Sequence, residues 1–238
     1  MASWRTRIER SPLGRALLER VPRDHTEPAG GFRRRRIVVV VTLVIGATLL
    51  GLSLAIPPGN QTFYLSTILT AVVWALGGLL SGPLHLGSIE QRGALRRPVG
   101  PPVLIGLLAG AVFLAGALVV REVTVLREYV ENVLAHANSG AIVPITVVTV
   151  ANGVAEEIFF RGALFAAIGR RHAVLISTAV YGAATLATGN PMLVFAAVIL
   201  GVLCGLQRRA SGGVLAPILT HVTWSVLMLF ALPPLFGL

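Results

Sequence analysis

Seven stretches of this chain are long and apolar: residues 37–56, 62–82, 101–120, 141–160, 173–188, 191–206 and 214–236. A helix needs about 20 consecutive apolar residues to cross the hydrocarbon core of a bilayer. Inside that core only structures that satisfy their own backbone hydrogen bonds persist, which for isolated apolar runs means helices. The fifth and sixth runs are shorter, about 16 residues each, and Gly189-Asn190-Pro191 joins them as a tight turn by composition. The pattern predicts an all-α, polytopic membrane helix bundle of about seven transmembrane helices. Charged residues make up 13% of the 238 and hydrophobic ones 55%. A soluble globule carries about 25% charged residues, so this chain cannot wet the surface of one. The same arithmetic excludes disordered, collagen-like and disulfide-scaffold chains. The single cysteine, Cys204, excludes an intrachain disulfide.

The net charge is +10, and all 20 basic residues are arginine. In a soluble protein such a balance points to nucleic acid; here the question is where the arginines fall. Ten lie in residues 1–36, which read as an Arg-rich N-terminal arm preceding a transmembrane domain over 37–238. Residues 5–20 of the arm read as a short amphipathic helix, broken by Pro22, Pro28, Gly30 and Gly31. The arm has no long apolar run and is no secretory signal. Positive charge collects on the cytoplasmic side of span ends. With the N-terminus inside, 18 of the 20 arginines fall on the inner side. Only Arg121 and Arg127 fall outside, beside Glu122, Glu128 and Glu131 in an expected amphipathic surface helix over 121–137. This predicts a cytoplasmic N-terminus, an outer C-terminus and a multi-pass place in the cell membrane. Its charge partner is then anionic membrane lipid and not nucleic acid.

A few polar groups lie where a bilayer discourages them. Glu156, Glu157 and Arg161 end the fourth run, and His221 lies within the last. Ionisable groups inside spans usually face a bundle interior. Glu157 and Arg161 are four apart and share a helix face; Glu156 is rotated about 100° from Glu157 and has no local partner. A carboxylate in a partly dry site suits general-base work. The blander reading is an interfacial Glu–Arg pair that closes a helix end. His221 carries Ser225 one turn later and has Thr220 and Thr223 nearby; Tyr181 and Thr185 stand four apart in the fifth run. Gly106-x-x-x-Gly110 and Gly201-x-x-x-Gly205 fit close packing between helices.

Glu156-Glu157-Ile-Phe-Phe-Arg161 resembles the E-E-x-x-x-R signature of the CPBP intramembrane proteases, the family of CAAX prenyl proteases and bacteriocin-processing proteins. The stretch from Gly212 to His221 resembles the family's approach to an essential histidine. The likeness covers residues 141–232, which it marks as the catalytic core. It implies an endopeptidase acting on a membrane-associated peptide or protein near the cytosolic face. Glu156 would activate water and Arg161 would hold Glu157. The family's F-x-x-x-H motif stands here as Tyr181 to Thr185, so threonine replaces the histidine. Its H-x-x-x-N motif stands as His221 to Ser225. The family is often described as metalloproteases, which implies zinc on Glu156 and His221, two ligands where a zinc site takes three. In the metal-free form Glu156 is the base, His221 and Ser225 donate to the oxyanion, and Thr185 orients the water. The replaced histidine also fits a weak or inactive protein of the same fold, acting as an immunity or assembly factor.

Overall fold

Every one of the seven apolar runs becomes helix in the computed structural model, which describes residues 11–23, 25–91, 93–169 and 171–238. The part of the expected N-terminal helix before residue 11 lies outside the described residues. Its later part forms α1, Pro12–Leu18, with Pro12 at the start and the Ser11 side chain accepting from the Gly14 amide at 3.0 Å. Proline suits this position because a helix's first amides have no partner within it. The remaining helices are α2 (Ala29–Leu54), α3 (Gln61–Ser81), α4 (Gly100–Val120), α5 (Thr124–Asn138), α6 (Ile142–Ile168), α7 (Ala173–Thr185), α8 (Pro191–Ser211) and α9 (Leu215–Leu235).

Six of these, α2, α3, α4, α6, α8 and α9, are long and apolar enough to cross a membrane. The fifth apolar run gives the shorter α7, extended by a 3₁₀ turn over Leu186–Thr188. Left-handed residues bound it: Gly169 (φ 90°) and His172 (φ 55°) before, Gly189 (φ 67°) after. Asn190 then caps α8, its side chain accepting from the amides of Met192 and Leu193. The turn read at Gly189-Asn190-Pro191 is therefore real, and it limits α7. The amphipathic segment is α5, whose Leu134 is buried against Ala117 and Phe236.

Two features depart from the sequence expectation. Helix α2 starts at Ala29 and runs straight through Gly30 and Gly31. Pro28 sets its first turn, and the arginines that follow hold its base: Arg35 bonds Glu27, the Ser81 hydroxyl and the Pro83 carbonyl, and Arg36 bonds the Ala167 carbonyl. Those tertiary bonds outweigh the weak helix propensity of two glycines, roughly 1 kcal/mol each. The second departure is a small antiparallel hairpin between α3 and α4, Ile89–Gln91 with Ala94–Arg96. It turns at Gly93, whose φ of 76° suits glycine.

Helix α2 packs on α3, α4 on α9, and α7 on α8, while α6 lies against both α3 and α9. Membrane helices gain little from hydrophobic exclusion against each other and rely on close contact. The two small-residue motifs supply it. A methyl group on Gly106 of α4 would sit 2.7 Å from the Thr220 carbonyl of α9, and one on Gly201 of α8 would sit 2.8 Å from the Thr178 side chain of α7. Trp74, Phe159, Phe160 and Tyr181 form an aromatic core where α3, α6 and α7 meet. That core floors the polar groups that α6 and α9 bring inward.

Candidate active site

Glu156 and Glu157 close the α-helical part of α6, and the next seven residues, Ile158–Leu164, wind as a π-helix. A π turn inserted in an α-helix breaks the regular ladder and leaves backbone groups to find other partners. Here the carbonyl of Arg161 accepts from Arg208 Nε of α8 at 2.7 Å. The wide turn thus presents Arg161 inward and ties its backbone to a second helix.

Glu157 is fully buried, and two helices supply its partners. Arg161 Nη1 donates to Glu157 Oε1 at 2.8 Å, and His221 Nδ1 of α9 meets the same oxygen at 2.8 Å. An ionised carboxylate only accepts, so the proton on this edge of the ring belongs to Nδ1, and Nε2 faces away from Glu157. The pairing brings α6 and α9 together at a fixed ring orientation. Glu157 Oε2 and Arg161 Nη2 are buried with no hydrogen-bond partner among the described residues. A bare buried charge costs several kcal/mol, so the pair and the histidine stabilise one another only as a set.

Glu156 is half-buried and turns the other way, towards α7. The Tyr181 hydroxyl donates to its Oε2 at 2.5 Å. The Tyr181 ring also lies under the Arg161 guanidinium, 4.7 Å from centroid to Cζ. Tyr181 therefore links the two carboxylates: its hydroxyl serves one, and its face stacks on the partner of the other. Position 156, without a partner in the local sequence, has one across the bundle.

Of the six residues singled out in the sequence, Glu156, Glu157, Arg161 and His221 join in this one cluster. Thr185 and Ser225 do not join its hydrogen bonds. Thr185 is buried, but its hydroxyl donates to the Tyr181 carbonyl of its own helix at 2.9 Å. Ser225 is half-buried, one turn past His221, and makes no hydrogen bond among the described residues. Three supporting groups carry no clear mark in the sequence. Tyr181 stood out only by its four-residue spacing to Thr185 and as the aromatic of a motif. Arg208 read as a positive-inside charge. Gln207 of α8 donates to the Thr220 hydroxyl at 2.7 Å, which donates in turn to the Pro102 carbonyl at 2.8 Å, fixing α9 beside His221. For Gln207 and Arg208 the signal is polarity just past the end of an apolar run.

A zinc ion held by three protein ligands does not fit this donor set. Among the described residues no three His, Cys, Asp or Glu side chains come together as ligands. The Thr185 hydroxyl is bonded to the Tyr181 carbonyl of its own helix, and the oxygen of Glu157 nearest His221 is already shared with Arg161.

Residues 138–227 match the family model of the type II CAAX prenyl endopeptidase Rce1-like proteins. The matched span contains the whole polar cluster and agrees with the likeness to the CPBP proteases read from the motifs. No curated protein and no solved structure matches the chain.

Proposed function

We propose that this multi-pass membrane protein, whose matched family is one of CAAX-type intramembrane proteases, is an endopeptidase in which Glu156 activates water against a peptide bond of a membrane-associated substrate. The observation that carries the reading is the division of labour between adjacent carboxylates. Glu157 is buried and committed to Arg161 and His221. Glu156 is more open and, among the described residues, is hydrogen-bonded by the Tyr181 hydroxyl alone. The first is a fixed structural charge; the second is the one free to trade a proton.

The chemistry then runs in two steps without a metal. Water attacks the carbonyl carbon while its proton passes to Glu156, and the carbonyl oxygen becomes an oxyanion. His221, oriented through Nδ1 by Glu157, presents Nε2; as an imidazolium it donates to that oxygen, the kind of preorganised donor that is worth roughly 10²–10³ in rate. The tetrahedral species collapses, the C–N bond breaks, and Glu156 returns its proton to the leaving nitrogen. A carboxylic acid and an amine result. Arg161 pairs with Glu157, and Tyr181 holds Glu156 in place. Replacement of the family histidine by Thr185 leaves this set of groups intact, so an inactive scaffold is not favoured. With the N-terminus cytoplasmic, the cluster lies towards the inner face of the cell membrane, where the substrate would be cut.

The test is cleavage of a membrane-anchored reporter peptide by purified protein in liposomes. Glu156→Gln and His221→Ala are each expected to abolish it, and a chelator to leave the wild-type rate unchanged. Activity that survives both substitutions would place the chemistry elsewhere, and activity lost to the chelator would restore the metal.

A further inference from the structure

Where α6 and α8 end and α2 and α7 begin, the structure holds an open cavity of about 850 Å³ that the peptidase reading does not use. This is within the size range of small-molecule sites, roughly 300–1,000 Å³. Five arginines line it: Arg20, Arg23, Arg35, Arg208 and Arg209. His25, His85 and His172 add three imidazoles. Among the described residues the acid lining it is Glu27, and Arg35 already holds both of its oxygens, at 2.9 and 3.3 Å.

The described residues that line the cavity thus carry more positive than negative charge. Arg23 reaches the Arg209 carbonyl at 2.8 Å, so the two guanidinium-bearing chains are brought together by the backbone. The Nε of Arg209 is buried and has no hydrogen-bond partner among the described residues. The field shows at His85: partial burial first, then the charges of Arg208 and Arg35, hold its imidazole below the ordinary histidine range. One wall of the cavity is apolar, with Phe32, Phe165, Val174 and Leu175. Leu175 is 69% exposed on α7, so the apolar wall opens outward onto the surface that a bilayer would cover.

We infer that this cavity is a headgroup site for an anionic phospholipid. Phosphate oxygens match the planar donor fork of arginine, and arginine pairs with them bidentately. Basic pockets between transmembrane helices at the cytoplasmic boundary bind such headgroups. The outward apolar wall gives the acyl chains a path that a free anion would not need. Arg208 adds a consequence: it lines the cavity and also braces the Arg161 carbonyl, so the bound headgroup lies against the π turn of α6. The inference rests on the membrane reading and is independent of the peptidase reading.

The experiment is lipid binding by the full-length protein, purified in neutral detergent and followed by native mass spectrometry. Phosphatidylglycerol is titrated against phosphatidylcholine. The wild type is expected to retain phosphatidylglycerol selectively. Arg23→Gln with Arg209→Gln is expected to weaken that binding about tenfold or more, with phosphatidylcholine unaffected. Arg33→Gln with Arg34→Gln removes the same charge from exposed positions on α2 outside the cavity and is expected to leave binding within about twofold. Equal weakening by both pairs would overturn the site in favour of diffuse surface charge. Inorganic phosphate that binds as tightly as the lipid would overturn the lipid in favour of a free anion. If the Arg23/Arg209 pair does not fold, Arg20→Gln on the exposed lip is expected to weaken the lipid about threefold, and no change there would count against the site.

Discussion

The molecule gathers charge in two places, and it treats them differently. In the cluster around Glu157 the charges answer each other: Arg161 and His221 share one carboxylate, and Tyr181 serves the next. In the cavity at the helix ends five arginines and, among the described residues, one glutamate already paired with Arg35 share the lining. The first arrangement is closed, and its job is to hold geometry. The second carries more positive than negative charge among its described residues, which suits the anion proposed for it. Among the described residues, Arg208 is the side chain that belongs to both. Charge that is compensated within the fold points to positioned chemistry, and charge left in excess points to a ligand.

The sharpest way to break this distinction is within the first cluster. Glu156→Gln keeps the size and the Tyr181 contact but removes the base. It is expected to lower peptide cleavage by about 10²–10⁴-fold with little change in thermal unfolding. Glu157→Gln is expected to do the reverse first: it strands the buried Arg161, and breaking such a pair costs about 3–5 kcal/mol. A thermal scan of the purified protein in detergent measures it. If Glu157→Gln leaves the unfolding midpoint where it was, then the closed cluster is not a structural unit. If Glu156→Gln unfolds the protein, then the two carboxylates do not divide their labour.

The same contrast shows what could be read from the letters. The bundle was legible because apolar length is a local property, and Glu157–Arg161 because a four-residue spacing fixes a helix face. Selection of His221 needed only its presence in an apolar run. Its partner was not legible: the ring meets Glu157, 64 positions away, and not the Glu156 with which a shared metal would have paired it. Tyr181 reaches Glu156 across 25 positions. The acceptor that Arg208 finds is a backbone carbonyl exposed by a π turn, which no residue type announces. The basic cavity was hidden for another reason. Sorting arginines by their expected side of the membrane accounts for their number at one end but not for their convergence, since Arg20 and Arg23 meet Arg208 and Arg209 only after α8 returns to the same end. Sequence also placed Arg35 among the charges of the arm, whereas it is 2% exposed and holds Glu27, Ser81 and Pro83.

Tyr181→Phe gives a smaller effect that sharpens the contrast. It keeps the ring under Arg161 and removes only the hydroxyl that Glu156 accepts. A hydrogen bond to a charged group contributes about 1.5–3 kcal/mol, so cleavage is expected to fall about tenfold or more. The loss is expected in kcat with KM little changed, because the hydroxyl positions the base and does not hold the substrate. A rise in KM at constant kcat would show that Tyr181 serves substrate binding and leaves Glu156 to position itself.

The smallest effect concerns Thr185, the residue whose departure from the family motif made activity doubtful in the sequence. Its hydroxyl is spent on the Tyr181 carbonyl within α7, a bond that a helix does without at little cost because that carbonyl already serves its own turn. Thr185→Val keeps the shape and removes the hydroxyl. Cleavage in liposomes is expected to change by less than about threefold, below the loss from Tyr181→Phe four residues earlier. A loss matching that of Glu156→Gln would mean that the hydroxyl leaves its helix to orient the attacking water, and the polar cluster would then extend along α7 to a residue that its resting hydrogen bonds exclude.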